Sequence, residues 1–146
     1  MDVISWLEQI RKLDELINSK IAEREQVWSM ITSVTIGEQD DMPHAKGGVS
    51  DPVGNGVVKL QMLAEDINRL IDKYIDHRQA AVRLLEQLPV EEYGVLHRQY
   101  VRYMTIEEIA DDMGYSRQQV WRIKGKALKN LKDVTKCNEM LLNVTS

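Results

Sequence analysis

The sequence predicts an all-α protein: a long N-terminal helical hairpin of coiled-coil character, then a small helix-turn-helix domain. Three observations predict it. Apolar residues recur at spacings of three and four along two long stretches, the period of a single helix face. With 43% hydrophobic and 29% charged residues, the chain can fold, and few aromatics, no Phe, three Pro and many Leu, Ile, Val, Glu, Lys and Arg suit helices better than sheets. In the last third, two helix-start signals flank a glycine.

The first stretch runs from about Val3 to Ile31. Trp6, Ile10, Leu13 and Ile17 form one stripe, and Ile21, Trp28 and Ile31 continue it with some drift. Arg11, Lys12, Glu15, Lys20, Glu23, Arg24 and Glu25 fill the spaces, which makes a long amphipathic helix. A loop is predicted over about 32–56, where Gly37, Pro43, Gly47, Gly48, Pro52 and Gly54 interrupt any period. It serves as a flexible connector, or as a contact site for polymerase or DNA through His44 and Lys46. The second helix is predicted from Gly56 to Leu88. Leu60, Leu63, Ile67, Leu70, Tyr74, His77, Ala81, Leu84 and Leu88 form an unbroken heptad seam. That seam suits an antiparallel hairpin over residues 1–88 or a homodimer through the N-terminal helices. Pro89 then stops the second helix or opens the next.

The second domain is expected over 89–134, with residues 135–146 as a fraying tail. Val90 to about Tyr103 reads as a helix with Val95, Leu96, Tyr100 and Tyr103 inward. In MTIEEIADDMGYSRQQVWRIKGKALKNLK, Thr105 is followed by Glu108 and Ser116 by Gln119. Both spacings make capping boxes, in which the first residue and the third after it satisfy each other's orphan backbone donors. Gly114 lies between them, where a helix must end in positive φ. The prediction is a helix over Ile106–Met113, a turn at Gly114-Tyr115 and a helix from Arg117 to about Lys132. Ile106, Ile109, Ala110 and Met113 face Val120, Ile123, Ala127, Leu128 and Leu131 across the crossing, with Ala110 small enough for close approach.

The net charge of −4 argues at first against nucleic acid. From Ser116 to Lys136, however, seven basic residues (Arg117, Arg122, Lys124, Lys126, Lys129, Lys132 and Lys136) stand against Asp133 alone. A local basic face governs DNA binding more than the chain total. The second motif helix offers Arg117, Gln118, Gln119, Trp121 and Arg122 as base-reading residues, since Arg pairs bidentately with guanine and Gln with adenine. Ser116, Lys124, Lys126 and Lys129 are the candidates for phosphate. Gly125 inside this helix costs about 1 kcal/mol relative to Ala.

Other chemistry finds no footing. His44, His77, His97 and Cys137 lack zinc spacing. His77 reads as a packed or register-setting residue of the seam, and His97 as exposed. Asp40-Asp41 and Asp111-Asp112 have no metal-ligand companions, and Asp111-Asp112 read as a solvated face. Gly47-Gly48 and Gly54-Asn55-Gly56 lack the Lys and Ser/Thr of a phosphate loop. No enzyme activity and no cofactor are expected. A single cysteine excludes an internal disulfide. The N-terminus is not a signal peptide, and no apolar run approaches the roughly 20 residues of a membrane span.

The segment from about Val90 to Leu131 resembles region four of bacterial sigma factors, which reads promoter elements. Leu96, Tyr100, Glu108-Ile109-Ala110, Gly114, Ser116, Val120, Ala127-Leu128 and Leu131 carry the resemblance. It implies DNA contacts from the first two turns of the recognition helix, on Arg117, Gln118, Gln119, Trp121 and Arg122. The whole chain, with its hairpin and the loop MPHAKGGVSDPVGN, is similar to phage-encoded late-transcription regulators of the RinA and ArpU kind. That likeness implies a phage or prophage transcription regulator in the cytoplasm of a bacterial host, with RNA polymerase as a second partner. A complete initiation factor is not expected, because the chain lacks room for the sigma regions that melt DNA. Two alternatives stay open: a DNA-recognition component of phage packaging, resembling a small terminase, and an interaction protein that binds polymerase without reading DNA.

Overall fold

The computed structural model describes residues 2–37 and 52–145. Asp40-Asp41, His44, Lys46 and Gly47-Gly48 lie outside the described residues. Five α-helices follow one another there: α1 Val3–Gly37, α2 Pro52–Leu85, α3 Val90–Leu96, α4 Ile106–Met113 and α5 Arg117–Thr145. Among the described residues no strand forms, in line with the all-α expectation.

Several boundaries differ from those expected. The helices reach further into the expected loop over 32–56, to Gly37 on one side and from Pro52 on the other. Thr32 is helical, with its hydroxyl donating back to the Trp28 carbonyl one turn earlier. Pro52 opens α2, where its missing N–H would have had no helical partner anyway. Gly56, expected at the start of the second helix, is a contact residue: a Cβ there would sit 2.5 Å from Ile31 Cγ1. Tertiary contact, not helix propensity, keeps this stretch helical. At the other end, the expected tail over 135–146 continues α5 to Thr145.

The described chain divides into two compact units. The first, Asp14–Lys73, is an antiparallel pair of helix segments. It buries Ile17, Val27, Leu63 and Ile67, and Lys59 pairs with Glu23 at 3.5 Å. The stripe predicted on α1 is corrected here. Val27 is buried, whereas Trp28 is 60% exposed. A large indole is seldom enclosed by a two-helix contact, and the neighbouring valine fits the narrow seam better.

The second unit joins Met1–Leu13 to Tyr74–Ser146. The division therefore differs from the one expected at residue 88. Val3, Leu7 and Ile10 of α1 cluster with Ala81, Leu85 and Leu88, and with Leu96, Val101, Ala127 and Leu131. Leu85, off the predicted seam, is among the fully buried side chains. His77 packs as expected, donating from Nε2 to the Trp6 carbonyl at 2.6 Å, with the two rings 4.5 Å apart.

Pro89 stands at the N-cap of α3 with φ −53° and ψ 153°. Glu91 and Glu92 occupy the first turn, where the helix dipole favours carboxylates. Glu92 is 4% exposed, and both its oxygens accept from Asn130 Nδ2 of α5, at 2.8 and 3.0 Å. Asn130→Ala leaves that carboxylate buried and unpaired. The expected cost is about 1.5–3 kcal/mol, seen as a lower urea midpoint at unchanged slope. Replacing both residues with apolar ones of similar shape restores most of the loss.

The helix predicted to reach Tyr103 ends sooner. After Leu96 the chain makes one π-helical turn, His97–Val101, closed by Arg102 N–H donating to the His97 carbonyl at 3.1 Å. Tyr103 then takes φ +58°, and Met104 N–H reaches back to the Arg98 carbonyl at 2.9 Å. A non-glycine residue in the left-handed region costs roughly 1–2 kcal/mol. The half-buried ring offsets this by packing on the core, with the Arg11 guanidinium 5.7 Å from its centroid.

Candidate nucleic-acid interface

α4 and α5 form the predicted pair of crossed helices, and their local chemistry explains the turn. Thr105 caps α4, its hydroxyl oxygen accepting from Glu108 N–H at 3.2 Å. Gly114 ends the helix at φ +70° and ψ +30°, and Tyr115 N–H returns to the Ala110 carbonyl at 2.9 Å. Ser116 and Gln119 make the second box reciprocally: Gln119 N–H donates to Ser116 Oγ at 3.2 Å, and Ser116 N–H donates to Gln119 Oε1 at 2.9 Å. Ile109, Ala110 and Val120 are buried together with Val95, flanked by Ile106, Met113 and Ile123. Tyr115 hydroxyl donates to Glu91 at 3.2 Å, which ties the turn to α3 and pushes the phenol pKa up.

The expected base-reading residues are presented unequally. Gln118 and Arg122, one turn apart, are both exposed on the side opposite the buried Val120, Ala127 and Leu131. Arg117 is exposed too but is held by Glu107 of α4, Nη2 to Oε1 at 2.7 Å. Gln119 spends its carbonyl oxygen on the cap, leaving its amide N–H groups for another partner. Trp121 is 57% exposed, and Lys124 Nζ lies 4.9 Å from its ring centroid.

The phosphate candidates also separate. Lys126 and Lys129 are exposed, and so are Lys132 and Lys136 beyond them. Lys124 is half-buried, and burial pushes its pKa down, while Glu8 of α1 opposes that shift. It is withdrawn from the outer face. Ser116 Oγ is already an N-cap, although it remains exposed. Gly125 lies on the outer face, where an added Cβ would meet nothing within 4 Å. Gly125→Ala is therefore expected to stabilise α5 by about 0.5–1 kcal/mol, measured as a raised urea midpoint.

Sequence reasoning missed a cluster beside this motif. Arg98 Nε donates to Asp112 Oδ2 at 2.6 Å, and Arg102 lies 3.9 Å from the same oxygen. The bond from Arg98 holds the Asp112 carboxyl below its usual range. Asp112 is thus a paired group, not part of a merely solvated face. The i-to-i+14 spacing of this pair has no helical signature, so only the fold reveals it. His97 is corrected as well: it is half-buried and stacked on Tyr93, with ring centroids 5.2 Å apart.

Burial, then Arg78, Arg102 and Arg98, push the His97 pKa below 6.5. The fold thus favours neutral imidazole, while the unfolded chain takes up a proton more readily. Stability is fully present above pH 6.5 and declines as pH falls through the lower folded value. His97→Gln is expected to flatten that decline, checked by urea unfolding from about pH 7.5 to about pH 5.5.

Among the described residues no group of three or more His, Cys, Asp and Glu could hold a metal ion, and no helix is long and apolar enough to cross a membrane. Residues 84–133 match the family model described as sigma-70, region 4. The match begins in the last turn of α2 and ends within α5. This stretch is a sigma-70 region 4 domain, a helix-turn-helix of the DNA-binding type. No curated protein and no solved structure matches the chain significantly.

Proposed function

From the sigma-70 region 4 domain at residues 84–133, we propose that this chain regulates phage or prophage transcription by sequence-specific binding to double-stranded DNA. The observation that carries this reading is the capped N-terminus of α5, with Gln118 and Arg122 exposed and Arg117 tethered beside them. In this arrangement α5 enters the major groove with its N-terminal turns. Arg122 and Gln118 take the central base contacts. Arg117 exchanges Glu107 for a base or a phosphate, and both groups of that pair are exposed enough for the exchange to cost little. Gln119 contributes through its free amide N–H, and Trp121 meets a sugar or a thymine methyl at the edge. Lys126 and Lys129, extended by Lys132, neutralise phosphates. Lys124 supports Trp121 more than it meets DNA.

RNA polymerase is the protein partner this reading assigns, in the cytoplasm of a bacterial host, and the N-terminal helices serve self-association. No step of this function requires a cofactor or a catalytic residue. The test is a mobility-shift assay on phage and host promoter fragments. Wild type is expected to shift a subset of fragments, and Arg117→Ala/Arg122→Ala to lose that selectivity. If both proteins bind every fragment equally weakly, DNA reading by α5 is wrong. Co-purification with polymerase in the absence of any fragment preference would instead favour an interaction protein.

A further inference from the structure

We propose that the hairpin segment Asp14–Lys73 docks on the same segment of a second copy of this chain, through the groove beside Trp28. This rests on the self-association assigned above and names its surface. Two packed helices form one thin layer, and stable helical architectures add at least another layer. The buried apolar side chains of this unit, among the described residues, are Ile17, Val27, Leu63 and Ile67. One flank holds an open groove of about 740 Å³ whose apolar lining includes Trp28, Val57, Leu60 and Ala64. Trp28 is 60% exposed and Val57 45%. An aromatic anchor beside a groove is the usual centre of an interface.

The chemistry of the patch selects a second copy. A two-fold contact brings the same surface to itself, so each copy must supply both the knob and the hole, and both signs of charge. Here Trp28 is the knob, and the groove beside it between the two helices is the hole. Arg24 and Glu25, neighbours on the rim, are both exposed. Turned end over end, Arg24 of one copy meets Glu25 of the other. A phosphate-bearing partner would find Glu25 opposing it. The dimensions also fit. The segment is roughly 33 Å long at about 1.5 Å per residue, and two helices at axes 8–10 Å apart span about 20 Å. Such a face approaches the roughly 800 Å² per partner of a standard interface.

The experiment is sedimentation velocity of the full chain from about 1 nM, with a fluorescent label, to about 100 μM, since interfaces of this size range from μM to pM in affinity. Wild type is expected to dimerise, and Trp28→Glu to remain monomeric with its helicity retained by circular dichroism. Arg24→Glu places like charges together and is expected to raise the dimer Kd at least about tenfold. Arg24→Glu/Glu25→Arg restores the complementarity and should recover it. Because both rim side chains are exposed, this pair decides the matter even if Trp28→Glu unfolds. A wild type that stays monomeric overturns both self-association and the surface. A dimer indifferent to the Arg24 variants overturns the surface alone, and a ring of many copies overturns the two-fold seating. None of these readouts depends on DNA.

Discussion

Truncating Ile109 to Ala is expected to cost about 2–5 kcal/mol and to remove DNA binding with it. Ile109 is 0% exposed at the centre of the small cluster with Val95, Ala110 and Val120. Its side chain separates α4 from α5, so its loss opens a cavity where the two helices cross. Helix ends on either side are fixed by caps and the Gly114 turn, which limits how far the site can collapse to fill the void. Folded domains have only about 5–15 kcal/mol in hand, so the loss is a large fraction of the total. Urea unfolding followed by far-UV circular dichroism reads it directly. Ile109→Val, which removes a single methylene, should cost only about 0.5–1.5 kcal/mol. Equal losses for the two variants would mean that Ile109 does not hold the crossing.

The second large effect falls on binding. Arg122→Ala is expected to cost about 1–3 kcal/mol on a cognate site, roughly a 5- to 150-fold rise in Kd by the tenfold-per-1.4 kcal/mol rule. Loss on unrelated fragments should be much smaller, because a base contact is specific and a phosphate contact is not. Arg122 is exposed, and among the described residues no hydrogen bond or ion pair is found on its side chain. Lys126→Ala/Lys129→Ala provides the contrast. It should weaken binding on all fragments alike and lower the salt slope by about 2. Titrations at two salt concentrations separate the two behaviours. If Arg122→Ala lowers the salt slope and spares selectivity, the side chain meets phosphate instead.

The helix-turn-helix was legible residue by residue because its signals are local. Thr105 to Glu108, Gly114, and Ser116 to Gln119 each act within one helical turn; the Ser116 box closes in both directions, whereas at Thr105 the Glu108 carboxylate accepts from the hydroxyl and not from the backbone N–H. Of the seam expected along the second helix, Leu63, Ile67, Ala81 and Leu88 are buried, and Leu85 beside it is buried too. What escaped depends on contacts between distant parts of the chain. Gly56, at the edge of the expected loop, packs against Ile31, a contact that no local signal announces. Val27 and Trp28 compete for one seam position, and only the neighbouring helix decides between them. His97 looked exposed because nothing adjacent in sequence announces Tyr93 stacking together with nearby arginines. Among the site residues, the sequence supplied the chemical types on α5 but not their engagements. Gln119 turned back to the cap, Arg117 latched to Glu107 and Lys124 drawn inward are all products of packing.

The core that joins Val3, Leu7 and Ile10 to Ala127 and Leu131 has a consequence for how the protein is made. The first turns of α1 leave the ribosome well before α5, whose side chains cover them, has been translated. Until α5 emerges, the apolar start of α1, the end of α2 with Leu88, and Leu96 and Val101 lack the cover of Ala127 and Leu131. Pairings of such long sequence separation form late and slowly, and the waiting surface is open to association in the meantime. Excising the DNA-binding motif at Pro89 would strip the same cover from Leu96, Val101 and Leu131. A fragment that keeps residues 84–133 intact would therefore still lack part of its own interior.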